Sequence, residues 1–274
     1  MTVRPAGTAL ALLERWLAPF TALKVLDVGC GTGALARALG TRGADVTGID
    51  PQPEAIAAAR AAVPGARFEQ AGAQALPFAD GEFGAAVFLN SLHHVPQPLM
   101  AAALREAARV SGGNVVVIEP LAEGTFFASM LPVEDETEIR AQAQAALAAV
   151  ARDGLHILEC VEYDDPRKFS GLDAFIAKLV EVDPARAPAT VEKRGVLQEL
   201  FNANAVPDGA LFRLVQPHRA HRLGFSDCDL QEELEAMQLA LAAPGGNPHD
   251  GSEARLRQRI EALKKELEAR KREP

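Results

Sequence analysis

Between residues 23 and 118 short apolar runs alternate with stretches that have a helical rhythm. The runs at 23–28, 45–49, 66–70, 85–89 and 114–118 predict strands, and 33–42, 53–62 and 97–110 predict helices. A short run without alternation marks a strand buried on both faces, and apolar residues recurring every three or four positions mark an amphipathic helix. Strands alternating with helices imply parallel pairing through right-handed crossovers, hence a doubly wound α/β sheet. Ahead of it, residues 6–19 predict a helix with Leu10, Leu13 and Leu17 on one face beside Trp16, placed either over a pocket or against the sheet.

After Pro120 the pattern changes. Residues 121–131 predict an amphipathic cover segment, and 137–154 a helix stopped by Gly154. Alternating strands follow at 155–163 and 210–218, with helical stretches at 172–181 and 189–203 between them. The two strands fit the sixth and seventh places of a seven-stranded sheet, the last antiparallel. The expected organisation is one domain over 1–225, with a helical substrate cover formed by 121–155 and 164–208, and a helical extension over 226–274. Phe126, Phe127, Met130, Phe169 and Phe175 are candidate pocket linings or simple core. Arg167, Lys168, Arg186, Lys193 and Arg194 are either contacts for an acidic substrate or a solvated face. In the extension, 229–244 predicts a helix and 244–251 a linker by composition. Leu256, Ile260, Leu263 and Leu267 then form a short a/d seam, which leaves open dimerisation, docking on the same chain, or a solvated helix.

The chemistry concentrates where the first strand ends, in VLDVGCGTG at 25–33. A strand, a glycine turn and a helix make a nucleotide-binding unit, because ligand can lie against bare backbone there. The spacing Gly29-x-Gly31-x-x-Ala34 also fits a dinucleotide fingerprint. Charge decides between the readings. Asp27 would repel a pyrophosphate but attract an ammonium group, and Asp50, closing the second strand, can accept from ribose hydroxyls. A cofactor with a cationic amino-acid end and an adenosine end suits both.

These stretches, followed by AQALPFADGEF (73–83) and FLNSLHHV (88–95), resemble the successive signatures of class I S-adenosylmethionine (SAM) dependent methyltransferases, closest to the small-molecule "type 11" group. The resemblance covers roughly residues 20–120 strongly and 155–220 weakly. It implies a Rossmann-like methyltransferase fold, with Asp27 near the methionyl amino group and the turn Gly29, Cys30, Gly31 and Gly33 against the cofactor. Asp50 would lie on the ribose, Pro51 beside the adenine, and Gly72, Ala73, Gln74 and Asn90 would complete the cradle. Cys30 itself reads as a small filler rather than a redox group.

The chain departs from the family pattern at Gly72-Ala73, where relatives carry an Asp that accepts from the adenine amino group. Losing that bond costs about 1–3 kcal/mol, roughly ten- to a hundredfold in affinity, unless Gln74, Glu69 or a water substitutes. Gly84 replaces a second customary Asp, and RVSGG (109–113) is a shortened turn. Asn90 to His94 should emerge at the carboxyl edge of the sheet, where open α/β sheets bind ligands. His93 or His94 is therefore a candidate general base, the plainer alternative being one histidine bonded to loop backbone and the other packed beside the cofactor.

Bulk properties narrow the substrate. With 28 Lys+Arg against 37 Asp+Glu the net charge is -9, which disfavours a nucleic acid partner. Cys30, Cys160 and Cys228 lack metal-ligand spacing, and no apolar run approaches the roughly 18 residues of a membrane span. The expected function is methyl transfer from SAM to a small-molecule acceptor in the cytoplasm, without metal or membrane, with a homodimer through the C-terminal helix open. A non-catalytic, methyltransferase-like binding or assembly module is the second reading, supported by Gly72, Gly84 and RVSGG. A nicotinamide-dependent oxidoreductase is the third, opposed by Asp27.

Overall fold

The computed structural model describes residues 4–150, 154–242 and 252–270. Five strands form a parallel core: β1 (Lys24–Val28), β2 (Asp45–Asp50), β3 (Arg67–Gln70), β4 (Ala85–Leu89) and β5 (Val115–Pro120). Two long strands, β6 (His156–Phe169) and β8 (Leu211–Gly224), complete the order β3-β2-β1-β4-β5-β8-β6, with β8 antiparallel to both neighbours. The expected seven strands are thus the main path. A short β7 (Val206–Asp208) hairpins onto β8 beyond it.

Alternation along each strand feeds two apolar layers. Leu26, Val28, Phe88, Val115 and Val117 pack against α4 (Gln97–Ser111) and α6 (Thr137–Val150). Val25, Val46, Val87, Val116 and Ile118 pack against α1 (Ala9–Leu17), α2 (Ala34–Gly40) and α3 (Pro53–Ala62). The leading helix α1 therefore lies against the sheet, with Leu13, Trp16 and Leu17 buried, and Thr8 caps it by accepting from Ala11 N–H at 3.2 Å.

The cover differs from the expected boundaries. Ala143, Leu147 and Val150 sit in the same apolar layer as α4, so α6 belongs to the body and the cover does not span 121–155. Nor is 164–208 wholly helical: 164–169 continue β6 and 206–208 form β7. Pro120 at the end of β5 pairs with His218, which pairs with Tyr163. Asp164–Phe169 and Leu211–Pro217 therefore run on past the carboxyl edge of the parallel core as a two-stranded ribbon. Polar DDPRK hides that extension from a pattern reading, and Pro166 is tolerated because β6 is the outer strand. Against the ribbon pack α5 (Gly124–Met130), α7 (Leu172–Val182) and α9 (Arg194–Asn204), with α8 (Ala187–Glu192) packed on α9.

Phe126, Phe127, Met130, Phe169 and Phe175 form this cover's own core with Leu197, Phe201 and Leu214, so they are structural rather than pocket-lining. The five basic candidates are likewise engaged internally. Arg167 pairs with Asp165 and lies over Phe126, Lys168 pairs with Asp208, and Arg194 with Asp173. Arg186 is buried on Glu134 and Glu136, and Lys193 donates to the Pro132 carbonyl.

The extension folds back on the chain. In α10 (Asp227–Ala242) Leu230 and Leu234 bury against Ile260, Leu263 and Leu267 of α11 (Ser252–Arg270). The a/d seam is thereby covered within the chain, which among the three readings left open is docking on the same chain; the linker 244–251 and the Cys228 side chain lie outside the described residues. The departure RVSGG has its reason here. Gly113 (φ 93°) leaves room for the Phe225 ring, 2.4 Å from where a Cβ would stand, and the Arg259 guanidinium of α11 rests on Gly112. Leu263→Ala should cost about 2–4 kcal/mol of this docking. Hydrogen exchange should then show faster amides in α11 with those of β1 to β5 unchanged.

Candidate functional site

Each of three strands of the parallel core has a buried carboxylate at or next to its carboxyl-terminal residue: Asp27 on β1, Asp50 on β2 and Glu119 on β5. Asp27 is only 2% exposed, and its Oδ2 has no hydrogen-bond partner among the described residues. Burial, reinforced by the charge of Asp50, pushes its carboxyl up to about 7. A buried carboxylate with an open oxygen is a site for a cation. Asp50 differs in being held: Oδ1 accepts from Gln52 N–H at 2.9 Å and Oδ2 from Gly31 N–H at 3.1 Å, leaving each oxygen further lone-pair capacity.

The glycine turn is tied to the end of β2 by the N–H groups of Gly29 and Cys30, both donating to the Ile49 carbonyl at 2.8 Å. Gly29 has φ 77°, and a Cβ there would lie 2.5 Å from Ser91 Cβ, so only glycine lets the turn pass beneath the end of β4. Gly31 faces open space, and Gly33 leads into α2. Cys30 is buried in the sheet layer with its thiol pushed up by burial, which makes it a filler whose backbone, not sulfur, belongs to the turn. Pro51 is exposed beside Asp50, its carbonyl accepting from Gln70 Nε2 at 3.0 Å.

Over the 72–74 loop the space of the missing Asp is occupied. Gln74 folds back so that its Oε1 and Nε2 lie 2.7 and 2.8 Å from where a Gly72 Cβ would be. The amide fills the space a side chain at 72 would take. Ala73 packs inward with Leu76 and Phe78. The other two departures lie elsewhere. Gly84 precedes β4 and 109–113 precede β5, at the amino edge of the sheet, opposite the site.

The turn after β4 completes the arrangement. Asn90 has φ 55°, unusual outside glycine, and its buried Oδ1 has no partner among the described residues. Ser91 donates its hydroxyl to the Val28 carbonyl at 2.6 Å, fastening this turn to the glycine turn. Glu119, 1% exposed, accepts from Ser91 N–H at 3.0 Å and Leu92 N–H at 2.9 Å through Oε1, and from His93 Nδ1 through Oε2. Burial pushes its carboxyl up, but His93 and the Leu92 N–H outweigh that and hold it low.

His93 is thus buried on a carboxylate, a partner different from the loop backbone of the plainer expectation. His94 is exposed, its ring 4.1 Å from that of His93 at 43°. Partial burial and then His93 pull its pKa below the ordinary histidine value, Arg186 adding to this and Glu136 and Glu119 opposing it. Sequence reasoning missed Ser91 and Glu119. An acidic residue closing an apolar strand, the signal that marked Asp50, also marks Glu119.

Residues 25–112 match a family model described as a methyltransferase domain. Among curated proteins, an uncharacterised methyltransferase of Mycobacterium sp. (strain JLS) is 42% identical over 74 residues, 27% of this chain and 29% of that protein. One of Mycobacterium bovis is 39% identical over 105 residues, 38% of this chain and 42% of that protein. The chain therefore spans less than half the length of these two relatives. A solved structure of a Bacillus halodurans protein described as a methyltransferase superposes with TM-score 0.53 at 21% identity, over 80% of this chain and 99% of the other, a likeness of fold.

The Asp27 carboxyl supplies a pH test. Its folded pKa, about 7, lies above the unfolded value of 3.8, so the folded state holds the extra proton and ligand-free stability falls as pH rises from about 4 to 7. Asp27→Asn carries no such cost. It should melt close to the wild-type temperature at pH 4 and roughly ten degrees higher at pH 8, a gain of about 4 kcal/mol, by scanning calorimetry of ligand-free protein.

Proposed function

We propose that this chain is a class I SAM-dependent methyltransferase acting on a small-molecule acceptor, a reading supported by the match of residues 25–112 to a methyltransferase-domain model. The observation that carries the reading is the open Oδ2 of Asp27 beside the glycine turn, with Asp50 one strand away. An α-ammonium group would satisfy the first carboxylate and ribose hydroxyls the second, and the Asn90 Oδ1 offers one more acceptor. Gln74, folded over Gly72, is the side chain available to an adenine edge, with Pro51 near it. SAM when bound would supply an activated methyl group. Transfer by in-line displacement then asks the protein chiefly for orientation and exclusion of water.

His94, exposed and with its pKa lowered, suits the removal of a proton from an acceptor O–H or N–H, and His93 supports its ring. A small acceptor is supported by the cover's five basic candidates each having a partner within the chain, although Lys168 and Arg194 stay about half exposed. No helix among the described residues is long and apolar enough to cross a membrane. The non-catalytic reading loses two of its supports, since Gly84 and the RVSGG turn lie away from the site.

The test is calorimetric titration of the purified protein with SAM, S-adenosylhomocysteine and NAD. Micromolar binding of the first two and none of NAD is expected; NAD binding alone would replace this reading with a dinucleotide one. Asp50→Ala should weaken SAM by about 1.5–3 kcal/mol, roughly ten- to a hundredfold, and unchanged affinity would reject the ribose assignment.

A further inference from the structure

We propose that Glu119 is a positioning residue of this site, setting both the backbone of the 90–94 turn and the tautomer of His93. The inference rests on the methyltransferase reading for its catalytic meaning, though not for its geometry. Glu119 is buried at the carboxyl end of β5, and its two oxygens divide the work. Oε1 takes the N–H groups of Ser91 and Leu92, which would otherwise be orphaned as the chain leaves β4. Oε2 faces His93 Nδ1.

An ionised carboxylate has only acceptor capacity, so the His93 nitrogen facing it must carry the proton. The ring is then held by one edge, and the His94 ring packs against it, tilted by 43°. The same anchor reaches the cofactor turn. Ser91, whose N–H is bound by Glu119, donates its hydroxyl to Val28, while Asn90 keeps its left-handed backbone with N–H on the Ile118 carbonyl at 2.8 Å. One carboxylate therefore joins the turn that presents His94 to the turn that presents Asp27. Glu136, Arg140 and Arg186 form a neighbouring buried cluster, where Glu136 bonds both arginines and its charge also reaches His93 and His94. None of the three bonds Glu119.

Two substitutions separate the two roles. In Glu119→Gln the amide oxygen must still take the Ser91 and Leu92 N–H groups, since turning it round would lose two hydrogen bonds. The NH2 then faces His93 Nδ1, which must become an acceptor. In Glu119→Ala both backbone N–H groups lose their partner.

The experiment is nuclear magnetic resonance of ligand-free protein labelled with 15N. Two-bond couplings in the imidazole should show a proton on His93 Nδ1 in the wild type, and in Glu119→Gln a bare Nδ1 with the proton on Nε2. Ser91 and Leu92 amides should exchange at least about tenfold faster in Glu119→Ala, remain near wild-type rates in Glu119→Gln, and leave β1 and β2 amides unchanged in both. A purely structural role would not move the tautomer. A proton retained on Nδ1 in Glu119→Gln, or unaltered exchange in Glu119→Ala, would overturn the proposal. Should Glu119→Ala not fold, the tautomer in Glu119→Gln decides alone. Because every readout precedes ligand, failure of the wild type to bind SAM would strike the functional reading, and a retained tautomer would strike the role of Glu119.

Discussion

A carboxylate buried with one oxygen unanswered is among the more costly things a folded chain can contain, and Asp27 is such a group. Its position explains much around it. Next to it the chain must turn sharply under the end of β4, which requires glycine at 29, and one strand away Asp50 adds a second negative charge that deepens the cost. Neither charge is balanced by a basic side chain among the hydrogen bonds that hold the two residues. Asp50 is held by backbone N–H groups alone. A stability cost of this kind is what preorganisation for a cationic ligand looks like in the ligand-free state, because the ligand recovers it on binding.

The two edges of the sheet divide the remaining work. At the carboxyl edge the ends of β1, β2, β4 and β5 bring Asp27, Asp50, Asn90 and Glu119 together, under a ribbon and helices whose aromatic residues form a separate core. At the amino edge the turn around Gly112 and Gly113 receives Arg259 and Phe225, so the C-terminal hairpin braces the body away from the site. A change in sequence at the amino edge, such as Gly84 or the shortened turn, therefore bears on packing. A change at the carboxyl edge, such as Gly72, falls on the side of the proposed cofactor site.

The parallel core was legible in the sequence because both signals it uses are local: apolar runs for strands buried on two faces, and three-four spacing for the helices between. Asp27 and the glycine turn were legible for the same reason, being adjacent along the chain, and Asp50 because it closes an apolar strand. What escaped was set by pairing at a distance. The outer halves of β6 and β8 are polar and held by each other, α6 joins the body through Leu147 and Val150, and Gln74 becomes meaningful only when seen folded on Gly72. Glu119 carried the same strand-end signal as Asp50, yet its three partners, Ser91, Leu92 and His93, lie 26 to 28 residues earlier.

The central claim is that the open Asp27 carboxyl awaits a cation, and proton linkage tests it directly. At pH 6 the ligand-free carboxyl, with a pKa of about 7, is mostly protonated, while an α-ammonium group is fully charged. Placing that ammonium against Asp27 should expel its proton. Titration with SAM at pH 6 in buffers of different ionisation enthalpy should therefore show release of close to one proton in the wild type and almost none in Asp27→Asn. Binding with no proton release by the wild type would contradict the account, for the cation would then sit somewhere other than on Asp27.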